Sequence, residues 1–166
     1  MQTAVLRLVS TGCVALAAAV LLVGCGFHLE GRTVLPAVMH RPYIETSNQQ
    51  SDFVQSLRRD LLISGARPAG DRARASAVIV VHAEVKRRVL SVSAANRPTE
   101  YEVRYTVRFS VTAGGKTLLP WQTVRARRSY TFSENLLLAT EHEQSILTGA
   151  MGRELADIVM RRLATL

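Results

Sequence analysis

A strict alternation of apolar and polar positions is the clearest pattern in the chain. From Tyr101 to Val111 the sequence reads YEVRYTVRFSV, with apolar side chains at odd positions and polar ones at even positions. A period of two is typical of a β-strand that has one buried and one solvated face. The glycine pair at 114–115 predicts a tight hairpin turn. A returning strand is expected over about Leu118–Phe132, with Pro120 marking a bulge or an edge position.

Two more strands are predicted upstream of this hairpin. The stretch from Ala77 to Ser91 begins AVIVVHAEV and is rich in the β-branched residues that favour strands. A shorter candidate, RPYIET, covers Arg41–Thr46. The chain is therefore expected to contain four strands, of which the last three follow one another directly.

A first helix is predicted between the first two strands, over about residues 50–64. Ser47 and Gln50 have the spacing of a capping box, and Ser64-Gly65 is a plausible C-terminal stop. Apolar side chains recur between them at the spacing of one helical face. They are Phe53, Val54, Leu57, Leu61 and Leu62.

A second helix is predicted from about Glu134 to Ala164, with Ser133 as a possible cap. Gly149 and Gly152 weaken its middle by their low helix propensity. An apolar stripe nevertheless runs along it. The stripe consists of Ile146, Leu147, Met151, Leu155, Ile158, Val159 and Leu163.

The element order is therefore β-α-β-β-β-α. Two amphipathic helices need an apolar surface to cover, and the alternating strands provide one. The predicted fold class is α+β, a two-layer sandwich in which a four-stranded, mostly antiparallel sheet carries two helices on one face.

The N-terminus has the pattern of a secretory signal. Arg7 is the only charged residue before Glu30, and the 16 residues of Leu8–Val23 are apolar or small. This run is shorter than the roughly 20 residues of a membrane-spanning helix, and it is followed by small residues, as in a cleaved signal. We therefore divide the chain into a signal peptide (1–24), a lipid-anchored tether (25–40) and a single α+β domain (41–166).

The end of the signal, Leu22-Val23-Gly24-Cys25, resembles the bacterial lipobox. The resemblance implies cleavage before Cys25, which then becomes an S-diacylglycerol cysteine with an N-acyl group such as palmitate. The other interpretation is an uncleaved signal anchor with an incidental cysteine. Gly26 follows where an aspartate often retains lipoproteins at the inner membrane, which favours a lipid-anchored position on the periplasmic side of the cell outer membrane.

A strongly basic balance points to an anionic partner. The chain carries 21 Lys and Arg against 13 Asp and Glu, a formal net charge of +8. An exported, lipid-anchored protein does not meet chromosomal nucleic acid, so nucleic acid is not expected as a partner. Arg104, Arg108, Arg125 and Arg127 are expected to share the solvated face of neighbouring strands, with Lys86 and Arg88 nearby. This face is either plain solvated surface or a surface that binds an anion.

No pattern in the chain indicates an enzyme, a metal site or a cofactor. The four histidines lack metal-ligand spacing, and Cys13 would leave with the signal. His142-Glu143 is more simply a solvated cap region than an acid–base pair. Gly-x-Ser-x-Gly and phosphate-binding glycine loops are absent from the sequence.

The mature chain resembles the LPS-assembly lipoprotein family, LptE. The similarity lies in Gly24–Leu29 (GCGFHL), Thr99-Glu100-Tyr101, Pro120, Arg128-Ser129-Tyr130 and Asn135–Glu143 (NLLLATEHE). The resemblance implies a sheet with two helices on one side. It also implies a role as plug and assembly partner of the β-barrel LptD in the outer membrane, with lipopolysaccharide contact during delivery to the cell surface.

The resemblance does not carry over at two positions. Basic residues proposed to contact lipopolysaccharide in the family correspond here to Ala94 and Thr140. Arg97 is a nearby replacement for the first. A periplasmic, lipid-anchored accessory subunit of another lipid-trafficking transporter is the alternative function that the sequence leaves open.

Overall fold

The computed structural model describes residues 33–132 and 137–166. The predicted signal peptide, Cys25, most of the predicted tether and the possible cap at Ser133 lie outside these residues. No helix within residues 33–132 or 137–166 combines the length and the apolar character needed to cross a membrane.

Four strands form one sheet in the order β1-β2-β3-β4. They are β1 (Pro42–Thr46), β2 (Ala77–Val92), β3 (Pro98–Ala113) and β4 (Lys116–Thr131). β2, β3 and β4 pair antiparallel, whereas β1 runs parallel to β2 because a helix connects them. The predicted four-stranded, mostly antiparallel sheet and the order β-α-β-β-β-α are confirmed.

Two helices complete the α+β sandwich, α1 (Asp52–Ile63) and α2 (Leu137–Leu163). Both bury apolar side chains against the face of the sheet that we call the helix face. On β3 this face consists of the odd-numbered residues predicted from the alternation, of which Val103, Tyr105, Val107, Phe109 and Val111 are fully buried. The phase of the strand is therefore confirmed.

The N-cap of α1 lies four residues after the serine that the capping-box pattern predicts. Ser51 is the N-cap, and its Oγ accepts a hydrogen bond from the Val54 N–H at 3.4 Å. Ser47 does not cap the helix, because Asn48 turns the chain first by accepting the Gln50 N–H at 3.0 Å. The predicted stop is confirmed, since Gly65 has a φ of +89° and the Ala66 N–H donates to the Leu61 carbonyl.

Two residues of the predicted helical stripes are not in the core. Leu62 of α1 is 55% exposed and Ile146 of α2 is 58% exposed, so the apolar stripes extend beyond the buried faces of the two helices. Leu62 follows the buried Leu61 and points away from the sheet by one helical step of about 100°. Ile146 precedes the part of α2 that is packed most closely, from Met151 to Leu163.

The two helices meet at a glycine. A Cβ atom placed on Gly152 of α2 would lie 2.8 Å from the Asp52 Cβ and 2.9 Å from the Phe53 backbone nitrogen. Gly152 thus lets α2 approach the backbone at the start of α1. Gly149, one turn earlier, has no comparably close neighbour.

β1 covers only the first part of β2. It pairs with residues 77–81, and from His82 to Val92 the outer edge of β2 has no neighbouring strand among the described residues. This part of β2 and the start of β3 form a hairpin arm whose tip is the turn Ser93–Arg97. Val85, Val89, Leu90 and Val92 are exposed on the arm.

The domain includes residues upstream of the predicted boundary at 41. Residues 37–39 form a 3-10 helix, and Met39 is fully buried in the core. The His40 carbonyl also accepts the Arg67 N–H at 2.8 Å. The C-terminal end of the segment interpreted as a tether therefore packs against the domain.

Candidate functional site

The face of the sheet opposite the helices carries the predicted cationic residues. The strand register aligns them in consecutive rows: Arg108 lies opposite His82 and Thr123, Thr106 opposite Glu84 and Arg125, Arg104 opposite Lys86 and Arg127, and Glu102 opposite Arg88 and Ser129. Neighbours across such a row have Cβ atoms about 4.5–5.5 Å apart. We call Lys86, Arg88, Arg104, Arg108, Arg125 and Arg127 the basic face.

These rows hold six cationic side chains and two acidic ones, Glu84 and Glu102. Four of the five predicted anion-binding residues, Arg104, Arg108, Arg125 and Arg127, are thus brought together on one surface. Because cationic side chains outnumber acidic ones, they repel one another and the surface attracts anions.

Glu102 neutralises part of the positive charge at one end of the basic face. Its carboxylate accepts hydrogen bonds from Arg88 Nε at 2.9 Å and Nη2 at 3.3 Å, and from Arg104 Nη2 at 3.2 Å. The hydrogen bond from Arg88, more than the charge of either arginine, holds the pKa of Glu102 below its ordinary value. Glu84 is bound by Lys86 at 3.0 Å, so both acidic side chains are already paired.

Arg125 and Arg127 have no acidic partner of this kind among the described residues. Neither guanidinium forms an ion pair or a hydrogen bond with any side chain in residues 33–132 and 137–166. Each carries donors in a planar fork that matches two oxygens of a phosphate or carboxylate. The donors of these two arginines are therefore available to an anion, as are those of Arg108, which contacts a ring and no carboxylate.

Arg108 contacts an aromatic ring instead of a carboxylate. Its Cζ lies 5.4 Å from the ring centroid of Trp121, which also stacks on His82 with centroids 5.2 Å apart. Trp121 shares the odd-numbered phase of Arg125 and Arg127 on β4, but its contact with His82 spans two strands and has no local signal in the sequence.

Arg97 does not join the other predicted residues. It belongs to the hairpin turn, where its N–H donates to Ser93 Oγ at 3.2 Å. Arg104 is seven residues further on, roughly 20 Å along an extended strand. Ala94 lies in the same turn, and Thr140 is in the first turn of α2.

A separate cleft of about 540 Å³ lies where β1 meets α1. Tyr43, Gln49, Arg58 and Leu62 are among its lining residues, and it contains none of the predicted site residues. In the part of the chain that the structure describes, no group of three His, Cys, Asp or Glu side chains could hold a metal ion.

The fold and the basic face define a small α+β protein whose most prominent chemical feature is an anion-attracting sheet surface. The family described as LptE, Lipopolysaccharide-assembly, matches residues 39–163, and the chain belongs to this family. The family is one of lipopolysaccharide-assembly lipoproteins and not of enzymes, so both the resemblance and the prediction of a non-enzymatic protein are confirmed.

Individual relatives agree with this assignment. The chain is 28% identical over 153 residues to the LPS-assembly lipoprotein LptE of Pectobacterium atrosepticum, covering 90% of this chain and 82% of the relative. It is similar in structure to an uncharacterised lipoprotein B of Nitrosomonas europaea, with a TM-score of 0.66, 26% identity and coverage of 84% and 90%. The rare lipoprotein B of Shewanella oneidensis shares the fold at a TM-score of 0.63, with 23% identity and coverage of 75% and 94%.

Proposed function

We propose that the protein is an outer-membrane lipoprotein, anchored through acylated Cys25 on the periplasmic side. In this proposal it acts as plug and assembly partner of an LptD-like β-barrel that translocates lipopolysaccharide. It also contacts lipopolysaccharide through the basic face during delivery to the cell surface. Family membership supports the general role. The observation that carries the contact is the pair of uncompensated arginines, Arg125 and Arg127.

Electrostatics favours a ligand on this face. Arg104 and Arg127 are direct cross-strand neighbours, and Lys86 is the neighbour of Arg104 on its other side. Like charges directly opposite each other in a sheet are destabilising. A phosphate group bound between them removes that repulsion, and guanidinium groups suit phosphate because each can donate two parallel hydrogen bonds.

The contact with lipopolysaccharide is tested by binding of the full-length protein in detergent across a salt series. Exposed charges are screened over about 8 Å at physiological salt, so the affinity should fall as salt rises. Replacing Arg104, Arg108, Arg125 and Arg127 by Gln should remove most of that salt dependence and leave the circular dichroism spectrum unchanged.

A matched control removes the same number of charges from the rest of the surface. The exposed Arg59, Arg67, Arg153 and Arg161 lie on the helices and on the loop after α1. Their replacement by Gln should leave most of the affinity and salt dependence in place. Equal losses in both quadruple variants would mean that net charge, and not the basic face, attracts the ligand.

The proposed partner is tested by affinity purification of the full-length protein from outer membranes. A large, heat-modifiable β-barrel should copurify in a defined ratio. If lipid-transport proteins of another system copurify and no barrel does, the alternative of an accessory subunit elsewhere replaces the proposal.

A further inference from the structure

Trp121 is the single tryptophan of the chain, and it is 48% exposed. A bulge in β4 accounts for its placement, because Phe109 pairs with Gln122 whereas Val111 pairs with Leu119. The extra residue in β4 locally increases the twist and re-aims side chains. An exposed indole offers a large aromatic surface to a ligand, and aromatic rings supply much of the energy of binding surfaces.

The indole is held on the outer face by neighbours from two other strands. His82 of β2 stacks on it with an interplanar angle of 24°, and Arg108 of β3 lies over the ring. A ring that reaches from β4 to a side chain of β2 must lie across β3. Ser110, the outward residue of β3 at this level, is accordingly only 7% exposed. The indole thus has contacts with both neighbouring strands on the outer face of the sheet.

On the side toward Arg125, the surroundings of the ring are polar and cationic, whereas Val80 of β2 is the cross-strand neighbour of Ser110 on the same face. Thr123 and Arg125 follow Trp121 on the same face of β4, and Thr106 lies opposite Arg125. Arg125 is four residues from Trp121, about 13 Å along the strand. An acyl chain that runs from the ring toward Arg125 would contact charged and hydroxyl groups, whereas a hydroxylated and phosphorylated ligand would find hydrogen-bond partners there.

We propose that Trp121 is a stacking platform for a sugar ring, and that Arg108 and Arg125 bind phosphate groups attached to that sugar or its neighbour. The C–H groups on one face of a pyranose carry partial positive charge, which suits the negative face of an indole. The ligand part recognised here is thus the phosphorylated saccharide headgroup of an anionic glycolipid. This inference rests on the proposed function and specifies which part of the glycolipid contacts the basic face.

The tryptophan fluorescence of the full-length protein in detergent reports directly on this site, because Trp121 is the single tryptophan in the sequence. The probe is a de-acylated glucosamine disaccharide that carries two phosphates. It should change the intensity or wavelength of the emission in a saturable way. The unphosphorylated disaccharide should bind at least about tenfold more weakly, and inorganic phosphate alone should leave the emission largely unchanged.

Substitutions of Trp121 test whether the aromatic ring itself contributes to binding. Calorimetry should show that Trp121→Ala weakens binding of the phosphorylated disaccharide about tenfold, while Trp121→Phe retains most of the affinity because it keeps an aromatic face. Leu62→Ala, which removes a half-exposed apolar side chain from the helix layer, should leave the affinity unchanged. Circular dichroism establishes that each variant is folded.

The possible failures have different meanings. If Trp121→Ala binds the disaccharide as tightly as the parent, or if inorganic phosphate alone reproduces the emission change, the platform is overturned. The proposed function still stands in that case, provided that the quadruple arginine variant loses its salt-dependent binding of lipopolysaccharide. If the parent binds neither lipopolysaccharide nor the disaccharide, the inference and the proposed lipopolysaccharide contact are both overturned.

Discussion

Glu102 is the residue where the charges of the basic face are most tightly coupled. Arg88 and Arg104 both bind its carboxylate and hold its pKa below the ordinary value, with the hydrogen bond from Arg88 as the largest cause. A carboxylate whose pKa is lower in the folded than in the unfolded state stabilises the fold above the unfolded pKa. This contribution is lost as the pH falls through the folded pKa.

The substitution Arg88→Gln should therefore raise the pKa of Glu102 toward its ordinary value, because it removes the largest cause of the shift. The measurement is a carboxyl-carbon NMR titration of Glu102. Arg125→Gln is the control, since Arg125 does not bind this carboxylate, and it should leave the titration midpoint nearly in place. A midpoint that Arg125→Gln moves as far as Arg88→Gln does would contradict the assignment.

The face on which each β3 residue lies was predictable, because the alternation of side chains along a strand depends only on neighbouring residues. Each residue from Val103 to Val111 can be assigned to a face from its neighbours alone. The partners of these residues could not be assigned in this way. Arg108 contacts Trp121 and Glu102 binds two arginines because of the register between strands, which depends on the whole sheet.

The start of α1 is held by a residue of the sheet. Tyr105 of β3 is buried, and its hydroxyl accepts the Phe53 N–H at 3.3 Å, beside the bond from Val54 to Ser51. Burial raises the pKa of the Tyr105 hydroxyl, so this group stays neutral well above physiological pH. The first amides of a helix have no partner within the helix, and Tyr105 satisfies one of them across the core.

Tyr105→Phe should consequently destabilise the protein by about 1–3 kcal/mol, because it leaves a buried amide without an acceptor. Urea unfolding followed by circular dichroism measures the change. Tyr101→Phe is a suitable control, since the Tyr101 ring packs on Tyr130 and its hydroxyl has no hydrogen-bond partner among the described residues. Equal stabilities of Tyr105→Phe and the parent would show that water replaces the hydroxyl.

The contact between α1 and α2 predicts opposite effects for two glycines of one helix. Gly149→Ala should stabilise the protein by up to about 1 kcal/mol, because it gains helix propensity without a close contact. Gly152→Ala should destabilise it by roughly 1–3 kcal/mol despite the same gain, because the new methyl group would overlap the backbone of Phe53. Thermal unfolding of both variants tests this, and a stabilised Gly152→Ala would mean that the helices separate easily.

Elements were easier to predict than their ends and their contacts. Apolar spacing identified both helices, and the glycine pair identified the hairpin between β3 and β4, where Gly114 and Gly115 both have positive φ. The cap of α1 was misplaced because Ser47 and Ser51 are both serines followed by plausible first turns. Only the Asn48 turn, which depends on where β1 ends, favours the second.

At the scale of the whole molecule, the lipobox interpretation makes Cys25 the residue that determines where the protein resides in the cell. The lipobox interpretation predicts that mass spectrometry of the mature protein finds Cys25 as the first residue, carrying a diacylglycerol and an amide-linked acyl chain. Three acyl chains make membrane residence effectively permanent, since one chain alone binds only marginally. Cys25→Ala should block this processing. An unmodified Cys25, or a mature chain that starts elsewhere, would contradict the prediction.

The parallel pairing of β1 with β2 also constrains the order in which the chain can fold. β2, β3 and β4 are joined by short turns and can form early, since local contacts require little loop closure. β1 precedes β2 in the chain and is separated from it by α1, so β1 can pair only once the chain around α1 has brought the two strands together. α2 comes last and supplies Met151, Leu155, Val159 and Leu163 to the core. A chain truncated before α2 would therefore expose the apolar helix face of the sheet, and such exposed surface is prone to aggregate.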